Sequence, residues 1–483
     1  LTLNYGMRYE ITTPFSEING RLNAFAPGRQ STVFPQAPAG VLVPGDPGVP
    51  DTIAPVYYMG FMPRLGVAWD PDGKARTTVR AGYAIFYDTL ANGVGGPLRV
   101  ATQTLPWVIV RQVTGNTVNF GQPFGAVTPS FAPGMFTQPM NLFTISNDLK
   151  PPYAQDWNLA FQRAWGEQTV ELRYVGTKGT HLPRFIDANP AAYQPGATAA
   201  NAGRRRIYAN CPDATSPCAL GYAALVDGST NSTYHAAQAS VSRRFQKGAG
   251  FNVSYTYSKS LDYSSSLHIA GPAPILVSGE MDLAQNPFDL RAEHGRSLFD
   301  ARHRLVASGI WQPAWFHDST TLVKRVFDQW ELSAIIVANT GTPFTVYDSR
   351  NVSLQAAIPP VAGTFASRPD AVSDPNGFSG RSIEQWISPA SFRRLNATTE
   401  AGRFGNEGRN IVQGPGKANV DLSLARTFPM TERLNLQFRA EAFNAMNHAN
   451  LGIPVNDMVS PNFGRVLEAG SPRLIQFALK LLW

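Results

Sequence analysis

The chain has 483 residues with 42 Gly, 38 Pro, 11% aromatic and 16% charged residues, a turn-rich and aromatic-rich makeup that argues against a helical or disordered protein. Its net charge of +7 is spread along the chain rather than gathered into a stripe, which argues against a nucleic-acid partner. The one dense basic run, Arg204-Arg205-Arg206, lies in a Gly/Ala/Asn-rich stretch and reads as a solvated loop. No segment approaches the ~18 apolar residues of a membrane helix. The mean hydropathy of -0.16 nevertheless suits a membrane β-barrel, whose strands need only about 9 to 11 residues with every second one apolar.

The first predicted strand alternates cleanly: Leu1, Leu3, Tyr5, Met7, Tyr9 and Ile11 are apolar, while Thr2, Asn4, Gly6, Arg8 and Glu10 are not. The pattern returns at Leu65/Val67/Trp69, Val79/Ala81/Tyr83/Ile85/Tyr87, Trp157/Leu159/Phe161 and Val170/Leu172/Tyr174. It continues at Ala237/Ala239/Val241, Phe251/Val253/Tyr255/Tyr257, Val420/Leu422/Leu424, Leu434/Leu436/Phe438/Ala440 and Ile475/Phe477/Leu479/Leu481/Trp483. Two further strands, near Arg304 to Trp311 and Trp330 to Thr340, alternate less cleanly, and Leu98 to Val113 is a candidate for one more hairpin.

Tight turns are expected at Asp70 to Lys74, Gly166 to Gln168, Gln246 to Ala249 and Phe428 to Glu432, with a longer one from Pro313 to Asp328. Long stretches alternate with them: Thr12 to Gly60, Asp88 to Ala154, Thr177 to Ser232, Asp262 to Phe299, Val346 to Gly416 and Asn447 to Pro472. A compact soluble fold rarely carries six such loops, whereas bacterial outer-membrane barrels alternate short periplasmic turns with long extracellular loops. The expected fold is therefore all-β, an antiparallel up-and-down transmembrane barrel with about twelve strands in view. With the carboxyl terminus in the periplasm an even number of strands would precede them, ten in a barrel of about 22 strands. The chain begins inside a strand, so an export signal is expected upstream.

Polar positions on the strands are expected to line a wet lumen: Arg8, Glu10, Arg80, Glu171, Arg173, Asp421, Gln437, Arg439 and Glu441, since an unpaired charge in a sandwich core would cost several kcal/mol, about 2 to 7 even for a neutral polar group. Ile475, Phe477, Leu479, Leu481 and Trp483 form the strongest single motif and are similar to the outer-membrane assembly signal, an aromatic-ended strand able to add to the edge of the assembly machinery's sheet. Cys211 and Cys218, with six residues between them, suit a small surface disulfide in an oxidising compartment. Neither a Walker loop, an HExxH motif, a nucleophile elbow nor zinc-finger spacing is present, so no enzyme activity, cofactor or metal is expected. Gly93-Val94-Gly95-Gly96 reads as a loop, and Asp70-Pro71-Asp72-Gly73-Lys74 as a β-turn rather than a calcium loop. His294 and His303, among Asp289, Arg291, Glu293, Arg296, Asp300, Arg302 and Arg304, read as a charged rim of mutually paired groups where a loop re-enters the barrel.

The run Leu434 to Asn450 (LNLQFRAEAFNAMNHAN), followed by Phe463-Gly464-Arg465 and Pro472 to Phe477 (PRLIQF), resembles the carboxyl-terminal signature of Oar-like TonB-dependent receptors. Pro63 to Asp70 (PRLGVAWD), Val79 to Asp88 (VRAGYAIFYD), Tyr234-His235-Ala236 through Ser258 to Asp262 (SKSLD), and Asp300 to Leu305 (DARHRL) add to it. The resemblance covers nearly the whole chain and concerns the barrel; the family's amino-terminal sandwich, plug domain and TonB box have no counterpart in it. It implies a bacterial outer-membrane transporter barrel, residues 1–483 being its carboxyl-terminal portion. The implied partners are outer-membrane lipid, the barrel assembly machinery, an unidentified ligand, and the TonB complex through a part of the protein upstream. A passive porin-like channel or an adhesin is the rival within the membrane class. A secreted sandwich that binds carbohydrate through loop aromatics such as Trp107, Trp315 and Trp386 is the rival outside it.

Overall fold

The computed structural model describes residues 1–52, 54–88, 107, 136, 138–265, 284–313, 328, 330–355, 367–431 and 433–483. Leu98 to Val113 (Trp107 apart), Gly93 to Gly96, Trp315 and most of the Pro313 to Asp328 turn lie outside these residues. Among them, one large antiparallel sheet takes twelve long strands in strict chain order. They are β1 (Thr2–Thr12), β2 (Tyr57–Trp69), β3 (Thr77–Tyr87), β4 (Tyr153–Trp165), β5 (Gln168–Asp187) and β6 (Leu220–Gln246). The second half comprises β7 (Ala249–Asp262), β8 (His303–Trp311), β9 (Trp330–Asn339), β10 (Lys417–Pro429), β11 (Asn435–Phe443) and β12 (Leu474–Leu482). Each strand pairs with the next, and the path ends at β1 and β12, which are not partners of one another.

The pairing register explains why the alternation works. Residues directly opposite in an antiparallel pair share a face. One row therefore runs Leu3–Val67–Ala81–Leu159–Tyr174–Ala237–Tyr257–His303 across β1 to β8. A second runs Trp311–Leu332–Leu424–Ala440–Phe477 across β8 to β12. Between these ends lies Val170–Val241–Val253–Ala307–Ile336–Val420. The apolar positions of twelve separate strands thus fall on one continuous face, and much of it is exposed, with Leu159 at 54%, Leu172 at 55% and Phe477 at 72%. The opposite face carries the row Arg80–Ala160–Arg173–Gln238–Thr256–Arg304–Asn339–Lys417. Strands β8 and β9 read less cleanly because both their faces are apolar: Val306 pairs with Val337 and Ser308 with Ile335 on the otherwise polar side.

Aromatic rings mark both borders of the apolar face. Trp69, Trp165, Phe245, Trp311 and Phe428 lie at the turn ends of their strands, and Tyr87 and Tyr153 at the loop ends with ring centroids 5.2 Å apart. From Tyr153 to Trp165 the chain advances roughly 40 Å at ~3.3 Å per residue. Tilted by about 45°, that spans close to the ~25 Å apolar band of an outer-membrane barrel.

The turns are as short as the sequence demands. At β6–β7, Lys247 (φ 50°) and Gly248 (φ 77°) both take left-handed φ, which a two-residue type I′ hairpin requires; a Cβ on Gly248 would also meet the Gln312 carbonyl oxygen. In the β2–β3 turn the Asp70 carboxylate accepts from the Ala75 N–H at 2.8 Å and Asp72 from the Lys74 N–H at 3.0 Å, so both carboxylates serve the turn.

The face assignment makes a direct prediction. Arg in place of Leu159, midway along β4 on the apolar face, should destabilise the folded protein in liposomes by about 2 to 4 kcal/mol. Ser240→Arg, on the other face opposite Glu171, should cost little. Urea unfolding followed by loss of heat-modifiable gel migration measures both; equal costs would contradict the assignment.

Candidate functional site

Where they are described, the long connections carry packed structure, and here the structure departs from the sequence reading. Both ends of the loop expected from Thr177 to Ser232 belong to strands: β5 runs on to Asp187 and β6 begins at Leu220, giving 20 and 27 residues, far more than the ~9 to 11 that cross a membrane. Their outer ends project beyond the apolar belt and carry a folded cap. Met140–Ile145 joins β6 as a parallel strand. Leu22, Ala54, Ile145, Leu149, Phe185, Tyr222, Ala224 and Val226 pack as one core. Val41, Met140, Leu142 and Leu220 belong to a second. Alternation fails as a signal over 220–226 because Leu220, Tyr222, Ala223, Ala224 and Val226 are all buried.

Polar side chains tie this half of the cap together. The Asp46 carboxylate is buried, which alone would raise its pKa. It accepts from the Val43, Thr32 and Val33 N–H groups and the Ser31 and Thr32 hydroxyls at 2.6 to 3.1 Å, and these hold it well below the usual carboxylate range. The basic triplet is a correction: Arg205 and Arg206 are buried. Arg206 forms an ion pair with Asp187 at 2.7 Å, Arg204 donates to the Asp213 carbonyl at 2.8 Å, and Arg205 bonds Asn201 and the Leu354 carbonyl of a distant loop. Cys211 and Cys218 are disulfide-bonded with Cα atoms 4.0 Å apart, closing the segment that follows the triplet.

The other half of the cap comes from residues 263–265, 284–302, 340–355, 367–416 and 444–473. Phe344, Val346, Ile387, Phe392 and Val412 form its core, with Trp386, Met458 and Phe463 packed against them. Around it lie charged pairs nearly sealed from water: Glu293 with Arg368, Asp262 with Arg409, and Asp300 with Arg296 at 2.7 Å. Arg296 also donates to the Gln413 side chain at 2.8 Å. Of the charged rim expected around His294 and His303, only Arg296 and Asp300 pair with each other among the described residues; Glu293 and Asp300 are buried, whereas Asp289, Arg291, His294, His303 and Arg304 are exposed. The His294 ring lies 4.9 Å from Tyr263, whereas His303 is on the apolar face, its Nδ1 2.6 Å from the Tyr255 hydroxyl. Trp386 donates to the Gln413 carbonyl at 3.0 Å and Trp107 to the Leu22 carbonyl at 3.1 Å, and the Arg381 guanidinium lies 5.4 Å from the Trp386 ring centroid.

Glu407 is the exception to this pairing. One carboxyl oxygen accepts from the Val346 N–H at 2.9 Å, while Oε2 has no partner among the described residues. Burial pushes its pKa well above the ordinary value against the opposing pull of Arg368.

The polar strand residues expected in a lumen form local pairs on the face opposite the apolar belt: Arg8 with Glu10, Arg173 with Glu171 at 2.8 Å, and Arg439 with Glu441 at 3.3 Å. Glu441 also takes a hydrogen bond from Gln476, and Gln437 donates to Thr427 at 3.4 Å. Arg80 belongs to the same face as Arg173 by register. These pairs are distributed over β1, β5 and β11 and do not converge on one point. Ile475, Phe477, Leu479 and Leu481 lie on the apolar face opposite Ala442, Ala440, Phe438 and Leu436, and Trp483 follows β12, 92% exposed.

A sheet with one continuous apolar face, aromatic borders, tight turns at one end and a folded cap at the other is the wall of a membrane-spanning β-barrel. The chain belongs to the outer membrane beta barrel domain family, which matches residues 1–476, and so resides in the bacterial outer membrane. No curated protein matches it. Among solved structures it is similar to the outer membrane transporter YddB from Escherichia coli, at 10% identity and TM-score 0.45 over 87% of this chain and 40% of that one. The ferric enterobactin receptor from Pseudomonas aeruginosa gives 10% identity and TM-score 0.40 over 89% and 40%. The ferripyoverdine receptor of the same organism gives 12% and 0.39 over 89% and 34%. The chain thus spans 40% or less of the length of these three chains.

Glu407 supplies a pH test. Because its folded pKa lies above the unfolded value of about 4.3, its contribution is fully present below that value and is lost as pH rises towards the folded pKa. Hydrogen exchange at the Val346 N–H, corrected for intrinsic rate, should therefore lose protection with rising pH in the native protein and not in Glu407→Gln. Parallel profiles would contradict the assignment.

Proposed function

We propose that residues 1–483 are the carboxyl-terminal part of the barrel of a TonB-dependent outer-membrane transporter of the Oar-like group, whose cap meets an unidentified ligand. The carrying observation is the combination of a second sheet face, polar except on β8 and β9, with a cap packed from described parts of the long loops above it. A ligand arriving from outside meets the cap first, and a route inward runs along the face bearing Arg8, Glu10, Arg80, Glu171, Arg173, Gln437, Arg439 and Glu441, which we assign to the lumen. The free edges of β1 and β12 support the reading that further strands complete the wall, because backbone groups left unpaired in hydrocarbon each cost several kcal/mol, about 2 to 7. The distributed motifs from Pro63 to Phe477 support the Oar-like assignment, and with it energy coupling through TonB and a plug supplied upstream. The role is transport rather than catalysis.

Two measurements test this. Full-length protein in a planar bilayer should show no steady conductance, as a plugged transporter does; a persistent open-channel current would favour the passive pore. In the same full-length protein, Phe477→Ser with Trp483→Ser should lower its amount in the outer membrane relative to an unrelated barrel, since β12 would present a poorer strand to the assembly machinery. Unchanged levels would overturn the assembly role of Ile475, Phe477, Leu479, Leu481 and Trp483.

A further inference from the structure

The apolar face carries a feature that membrane burial alone does not call for. From the turns up to Lys178, Thr233 and Leu261, its register positions on β4 to β8 include no carboxylate: Tyr153, Gln155, Trp157, Leu159, Phe161, Arg163 and Trp165 on β4 are followed by equally acid-free series through Trp311 on β8. Cations gather at its loop-side border. His235 stands directly opposite Lys259 across β6 and β7, and next to Gly176 of β5 on its other side. Lys178 is two residues further along β5, opposite Thr233, and His303 lies one step towards the turns, opposite Tyr257. The Arg302 guanidinium reaches the same place, 5.8 Å from the Tyr257 ring centroid. These five groups fall within three successive register steps, each about 7 Å along the strand. Lys178, Lys259, His235 and His303 are exposed, and neither lysine makes an ion pair among the described residues.

Their setting fixes the depth. Trp157, Tyr174, Tyr255 and Tyr257 share the face, with the Tyr174 hydroxyl 2.8 Å from His235 Nδ1 and the Trp157 and His235 ring centroids 6.0 Å apart. Trp and Tyr rings on a membrane face sit at headgroup level. A row of cations there, with no acidic group to balance it, faces the charged part of the lipids and neither the lumen nor the cap.

We propose that Lys178, His235, Lys259, Arg302 and His303 form an interfacial site for the phosphate of an anionic lipid headgroup in the outer leaflet. Charge complementarity supplies the attraction, Arg and Lys donating to phosphate oxygens, and the aromatic border holds the acyl chains against the belt below. The inference goes beyond transport: it concerns the lipid-facing side and stands whether the barrel is gated or open.

The test uses full-length protein in a non-ionic detergent, with binding of lipid A read by native mass spectrometry. At about fivefold per charge, Lys178→Gln with Lys259→Gln should weaken binding some 20- to 30-fold, while Lys178→Arg with Lys259→Arg retains it and so controls for folding. Arg163→Gln, on the same face near the turns, should leave it unchanged. Lipid A stripped of its phosphates should bind weakly, and millimolar inorganic phosphate should not displace the intact lipid. Undiminished binding by the Gln pair, equal binding of the stripped lipid, or full displacement by free phosphate would each overturn the proposal.

Discussion

Everything in this structure depends on the need to satisfy backbone N–H and C=O groups where no water is available. In hydrocarbon an unbonded peptide group costs several kcal/mol, about 2 to 7, and strands can meet the demand only by pairing on both sides. The chain answers with strands that each pair with the next. Once pairing is continuous, the two-residue repeat divides every strand between lipid and interior, and a one-residue slip would exchange the faces. The registered rows, such as Val170–Val241–Val253–Ala307–Ile336–Val420, are the result.

Beyond the belt water returns and the rules change. The projecting ends of β5 and β6 bury both faces, and charges that could not stand against lipid occur deep in the cap. Apart from Glu407 they do so with partners, as Glu293–Arg368, Asp262–Arg409 and the five-bonded Asp46 illustrate. Breaking such a pair by removing one member costs about 3 to 5 kcal/mol, so the pairs specify how separate loops dock: Asp262 ends β7, and Arg409 belongs to the loop before β10. The described loop segments are thus joined to one another rather than left as independent tethers.

The sequence made the wall legible because lipid reads it one residue at a time. Leu1 to Ile11 alternates without exception, Ile475 to Leu481 breaks the pattern only at Ala478, and their faces follow from that alone. It did not reveal the cap, because the outer end of β6 packs on both sides and Leu-Gly-Tyr-Ala-Ala-Leu-Val carries no period. Arg204-Arg205-Arg206 looked solvated since nothing local signals that Asp187 and Leu354 wait for it from elsewhere. The cysteine pair was readable from spacing and setting, as its loop contains both partners. Lumen polarity could be read position by position, but the register needed for the row Arg80–Ala160–Arg173 comes only from the pairing.

The central claim is that β6 changes environment along its length, from a two-faced wall to a buried strut. Single cysteines introduced from residue 220 to residue 246 would be the only free thiols, because both native cysteines are bonded. Spin labels at these sites in liposomes report lipid-soluble oxygen against a water-soluble relaxant. The account predicts a two-residue oscillation over 233–243, with oxygen favoured at 235, 237, 239 and 241, and low access to both reagents over 220–226. An oscillation running unbroken to residue 220, or none over 233–243, would contradict it.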